Sequence, residues 1–373
     1  MPSLPERWSL ADRVEQAVAR LLVRLPARLQ VRLSGEPPVT VDGQTLDPHV
    51  QLVRALRRRR GRGGLCEPTP EKAREIFHRE SVLFRGPMTP VGRVRDFDIP
   101  GPGGPLRVRH YAPDALGPEP LTVYLHGGGY VIGDLETHDE ACRILCRHGG
   151  VHLLSVDYRL APEHPFPAAL DDTLAALRWA QAHAAELGAD PARVAVGGDS
   201  AGGNLAAVAA QLTARDRPPF AQLLIYPPTD SETKRPSQSR FSEGWFLSQD
   251  DRDAFARHYL EGTGVTGEDP RVSPLLALDL SGLAPALVVT AGFDILRDEA
   301  EAYFEALAAA GTTARLTRIP GHGHGFLHMT GASPGAYAAM VRVAEDWRVL
   351  LDEVDRTEAR QIFSRGDAET RRG

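Results

Sequence analysis

Ser200 stands in the run Gly198-Asp199-Ser200-Ala201-Gly202, directly after the apolar stretch RVAV at 193–196. A serine hydroxyl attacks a carbonyl only when a positioned base takes its proton, and that base needs a partner to fix its tautomer. Asp294 follows the apolar run ALVVTAGF, and His324 lies in GHGHGF at 321–326, so acid and base come after the serine in chain order. A fourth stretch, HGGGY at 126–130, sets three glycines after the apolar LTVYL. Glycine loses more backbone freedom on ordering than any other residue, so the use of bare backbone there is to bring N–H groups close to negative charge. The backbone N–H groups of Gly128, Gly129 and Ala201 are the expected donors to a tetrahedral oxyanion, each contributing about 3 kcal/mol in the transition state. In that chemistry Ser200 attacks an ester carbonyl, His324 relays the proton to the leaving alcohol, and Asp294 orients the imidazole.

These residues need elements that bring them together. From about residue 93 strands alternate with helices, which predicts a mostly parallel sheet of eight strands with helices on both faces. Two alternating strands, RVRDFDIPG and PLRVRHYAP, predict an antiparallel start. Ser200, Asp294, His324 and glycines 127–129 each fall just past a separate strand, and parallel strands gather ligands outside their carboxyl ends. Residues 1–85 have helical character and are expected to form N-terminal cap helices. Residues 86–352 form the catalytic domain, with a polar insertion at about 230–272 completing the cap, and 353–373 form a charged tail expected to fray. Arg20, Arg24, Arg28 and Arg32 fall four apart on a helix interrupted by Pro26; a membrane-surface helix is one reading, and a solvated face of a cap helix is the favoured one. Arg57–Arg60 with the following GRGG reads as an exposed loop.

The chain of 373 residues is 42% apolar and 25% charged with a formal net charge of −6. That balance gives no electrostatic bias toward nucleic acid. Cys66, Cys142 and Cys146 cannot all pair and do not have zinc-site spacing, so a reducing, cytoplasmic compartment is expected and no metal. The N-terminus lacks signal-peptide character and no run is long enough to span a membrane.

Taken together, HGGGY, VDYRLAPEHPFPAALDD, GGDSAGGNLA, DILRDEA and HGF resemble the hormone-sensitive-lipase family of esterases within the α/β-hydrolase fold, over roughly residues 85–350. The resemblance implies hydrolysis of carboxylic esters of short or medium acyl chain, no cofactor, a cap over the sheet, and a triad at Ser200, Asp294 and His324. The long N-terminal extension and YPPTD depart from many relatives, and bear on cap shape and substrate.

Each choice has a competitor. Asp298 and Glu299 suit the first turn of a helix, where carboxylates favour the dipole, which leaves Asp294 as the acid. His322 lies two residues from His324, and the match to HGF favours the latter. His126 is expected to brace the glycine loop, Asp199 to be structural, Asp157 and Arg159 to form a buried brace, and Cys142 and Cys146 to pack in the core. Tyr130, Trp245, Phe246 and Phe326 are candidates for an apolar substrate pocket. The partner is a small-molecule ester, and a homodimer is allowed without being required. The rival readings are a non-catalytic binding protein on the same scaffold, as in a plant hormone receptor that resembles this family but lacks the histidine, and an amidase or deacetylase with the same triad.

Overall fold

A computed structural model describes residues 24–59, 65–66, 69–115 and 117–370, together with Val14, Ala17, Val18, Leu21 and Leu22. The start of the segment of helical character, residues 1–23, lies outside the described residues apart from those five positions, which are helical. Helix α1 (Ala27–Ser34) leads into a small hairpin of β1 (Thr40–Val41) and β2 (Gln44–Thr45). Helices α2 (Pro48–Arg59) and α3 (Pro70–Phe84) follow within the segment that was expected to form a cap. The hairpin was not expected in a helical segment. Its signal is Asp42-Gly43, both at positive φ, the dipeptide favoured in a two-residue hairpin turn. Arg57–Arg59 are also not a loop: they form the last turn of α2, where cations suit the helix dipole. Arg60 and the glycines after it lie outside the described residues.

The remaining elements follow the predicted alternation. They are β3 (Arg93–Gly101), β4 (Gly104–Ala112), β5 (Glu119–Leu125), α4 (Asp139–Gly149), β6 (His152–Val156), α5 (Ala168–His183), β7 (Ala189–Asp199), α6 (Ala201–Thr213) and β8 (Gln222–Ile225). The insertion contributes α7 (Pro236–Arg240) and α8 (Gln249–Leu260), before β9 (Ala286–Phe293), α9 (Arg297–Ala309), β10 (Ala314–Gly323) and α10 (Pro334–Thr370). The sheet runs β10-β9-β8-β7-β5-β6-β4-β3, with β3, β4 and β6 paired antiparallel in succession and every other pairing parallel.

Alternate residues of the central strands fill two cores, one on each face. Leu125, Val196, Leu224 and Val288 pack with α5, α6 and α9. Tyr124, Ala195, Leu223 and Val289 pack with α4 and α10, where the Trp347 indole donates to Thr122 Oγ1 at 3.1 Å. Helix α6 is buried on nearly every side, which its small residues permit. Helix α10 continues to Thr370, past residue 353 where the charged tail was expected to begin. Residues 353–365 contain no proline or glycine and include Arg, Glu, Gln and Ala, so no strong breaker stands at the expected start of the tail.

Candidate active site

Strand β7 delivers the chain to Ser200 in a sharp turn with φ 51° and ψ −121°, and α6 starts at the next residue. The turn is pinned where the Ser200 N–H donates to the carbonyl of Ile225 at 2.8 Å. Helix α6 lies so close to the end of β5 that a Cβ on Gly202 would stand 1.9 Å from the Leu125 carbonyl oxygen. Glycine at that position is what allows the turn to close.

His324 follows β10 and Asp294 follows β9, and neighbouring strands bring their side chains together. The His324 Nδ1 lies 2.8 Å from Asp294 Oδ2, and its Nε2 lies 3.0 Å from Ser200 Oγ. Because a carboxylate only accepts, Nδ1 carries the proton and the Nε2 lone pair faces the serine hydroxyl. Asp294 is itself held: its Oδ1 accepts from Leu296 N–H at 2.9 Å. This succession can pass a proton from Ser200 Oγ to the imidazole. His322 lies apart, buried beside Gly335.

The glycine loop after β5 is fixed from behind. Gly127 N–H is shared between Asp199 Oδ1 at 3.0 Å and His138 Nε2 at 3.2 Å, and Tyr124 O–H donates to the same carboxylate oxygen at 2.8 Å. Burial alone would raise the Asp199 carboxyl, but the adjacent His138 ring, with the tyrosine hydrogen bond, holds it well below the usual carboxylate range. His126 Nδ1–H donates to the Gly127 carbonyl at 2.8 Å, its ring stacks on Tyr158, and burial pushes it down to about 4. It is thus a neutral brace and not a base. Among the described residues no protein acceptor takes the N–H groups of Gly128, Gly129 or Ala201. Glycine at 128 and 129 proves necessary for a reason other than substrate access: a Cβ would strike the Ile132 carbonyl from 128 and the Phe255 ring from 129.

His138, Asp199 and His328 bring donor atoms within 4.8 Å of one another, a set chemically able to hold a cation. The Gly127 N–H points between the first two, so their lone pairs already serve the loop. This cluster escaped sequence reasoning because its members come from three distant elements with no shared spacing.

Above Ser200 and His324 opens a cavity of about 370 Å³. Of the four aromatic candidates, Tyr130 and Phe246 line it. Trp245 does not: it packs between Phe241 and Phe293 under the Arg54 guanidinium. Phe326 is fully buried on the other side of the sheet, edge-on to Tyr226. Their places on the wall are taken by Phe255 and Tyr259 of α8, with Tyr259 stacked 3.8 Å from Tyr130. Helical spacing of four within the insertion was the available signal. The expected Asp157–Arg159 brace is also corrected: Arg159 forms a two-pronged pair with Asp172, through Nε and Nη2 at 2.9 Å each. Asp157 stays apart from it, and burial raises its carboxyl to about 6.

Residues 122–328 match the family model for the alpha/beta hydrolase fold. The chain is 44% identical to carboxylic ester hydrolase LipN of Mycobacterium tuberculosis, covering 94% of this chain and 96% of that protein. It is 39% identical to an ethyl acetate hydrolase of Pseudomonas putida over 74% of this chain and 88% of the relative. Among solved structures, an ester hydrolase from the metagenome of Lake Arreo, complexed with a bipyridine phosphonate derivative, superposes with a TM-score of 0.78 at 41% identity, covering 82% and 98% of the two chains. The chain belongs to the α/β-hydrolase fold family and, within it, to the hormone-sensitive-lipase group of esterases.

Proposed function

We propose that this carboxylic ester hydrolase cleaves esters of short to medium acyl chain through an acyl-enzyme intermediate on Ser200. His324 is general base and then general acid, Asp294 holds its tautomer, and the N–H groups of Gly128, Gly129 and Ala201 receive the oxyanion. The observation that carries this reading is the hydrogen-bonded succession from Ser200 Oγ through His324 to Asp294 at the floor of the cavity. A wall built from Tyr130, Phe246, Phe255 and Tyr259 supports an apolar acyl or alcohol group of limited length. We also take residues up to about 85, with the insertion at about 230–272, to act as the cap.

The test is hydrolysis of p-nitrophenyl esters of increasing chain length by the wild type and Ser200→Ala. The variant should lose on the order of 10⁶-fold in kcat. Equal rates would leave only a binding role for the site, and a preference for acyl groups beyond about twelve carbons would overturn the compact pocket. Anilides should be cut far more slowly than the matching esters.

A further inference from the structure

Helix α1 is inside out. A surface helix ordinarily turns its apolar stripe to the core, yet α1 buries Gln30 and Ser34, at 0% and 3% exposure, and leaves Leu29 and Leu33 at 43% and 45%. The polar side faces α2, where Gln51 Nε2 donates to Ser34 Oγ at 2.9 Å, so the inversion is built in by a buried hydrogen bond. Arg28 and Arg32 are exposed next to the two leucines, because residues one apart are about 100° apart on a helix and residues four apart nearly coincide. Before Pro26, Val14, Val18 and Leu21 continue the exposed apolar series.

Charge selects the occupant of this face. Residues 16–35 contain four arginines and no acidic residue, in a chain whose net charge is −6. Among the described residues Arg28 and Arg32 pair with no carboxylate. A two-fold contact with a second copy would set these same arginines against one another, whereas an anionic lipid surface neutralises them and receives the leucines. No helix among the described residues is long and apolar enough to cross a membrane, so the contact is one of surface docking. Helix α1 lies on α2, whose Val53 and Arg57 line the cavity, which places the docking face on the cap beside the site.

We infer that the outward face of α1, with Leu29, Leu33, Arg28 and Arg32, docks the enzyme on anionic membrane surfaces. The experiment is co-sedimentation of the full chain with vesicles of phosphatidylcholine alone or mixed with phosphatidylglycerol, for wild type, Leu29→Gln/Leu33→Gln and Arg28→Gln/Arg32→Gln. Hydrolysis of a soluble short-chain ester serves as the folding control and should be unchanged in both variants. Wild type should bind the anionic vesicles and be released by salt, and each double variant should bind roughly tenfold more weakly. Failure to bind anionic vesicles, equal binding to neutral ones, or binding undiminished in both variants would overturn the proposal. So would a wild-type dimer in light scattering that the leucine variant converts to monomer, since the face would then be a subunit interface.

Discussion

Ser200 holds a backbone conformation that costs a non-glycine residue of order 1–3 kcal/mol, and its surroundings over-determine it. The Ile225 carbonyl holds its N–H, and Gly202 lets α6 press against the end of β5. What remains adjustable is the protonation of its partner. Asp294→Asn keeps the shape of the acid but can donate a proton to Nδ1, which moves the imidazole proton to Nε2, where it faces the serine. The expected loss in kcat is on the order of 10⁴-fold with the far-ultraviolet circular dichroism unchanged, and a loss below about tenfold would show that the tautomer is fixed by some other group. Ser200, Asp294 and the glycines were legible in sequence because each sits at the end of its own apolar run. Asp199 was legible as a structural residue, but its association with His138 and His328 was not, since only the fold brings their donor atoms within 4.8 Å of one another.

Helix α8 is the element that ties the insertion to the cavity above Ser200. Ser248 and Asp251 cap its start reciprocally, and Asp251 also accepts from Leu65 and Cys66 N–H. One turn on, Arg252 pairs with Glu299 of α9 at 3.0 Å, and burial holds that carboxyl above its ordinary value despite the arginine. Arg252→Met would leave Glu299 buried without its cation, and urea unfolding should report a loss of about 3–5 kcal/mol. Phe255, one further turn along, rests on Gly129. Removing that ring with Phe255→Ala should cost about 3–5 kcal/mol of stability and enlarge the cavity over Gly129. The ratio of kcat/KM for octanoate over butyrate should then rise roughly tenfold; an unchanged ratio would place the acyl group elsewhere. The sheet and its helices could be read from periodicity, since both faces are buried and the strands are continuous apolar runs. The detail of residues 27–45 and of the insertion could not, because α1 reverses its amphipathicity, α7 is barely one turn, and the hairpin at Asp42-Gly43 has strands of two residues each.

Across the whole molecule, buried histidines set how stability depends on pH. Burial pushes His126 and His152 down to about 4 and His110 and His328 down to about 3. In the unfolded chain each returns to about 6.5, so between that pH and about 4 the unfolded state binds four protons that the folded state refuses. Three carboxyls act in the other sense: burial raises Glu140 to about 7, Asp157 to about 6 and Glu299 above its ordinary value, and the folded state keeps protons that the unfolded state has released. His322, also lowered by burial, joins the imidazoles, whereas His78, raised by its hydrogen bond to Asp134, is protonated in both states near pH 5.5. The five lowered imidazoles outnumber the three raised carboxyls, which leaves a net uptake of protons on unfolding near pH 5.5, so acidification favours the unfolded chain. Calorimetry should therefore show the unfolding midpoint falling steadily from about pH 7 to about pH 5, while His152→Gln, which removes one of the lowered imidazoles, flattens the fall. A midpoint that rose over that interval would mean that the protonated Glu140, Asp157 and Glu299 outweigh the neutral imidazoles.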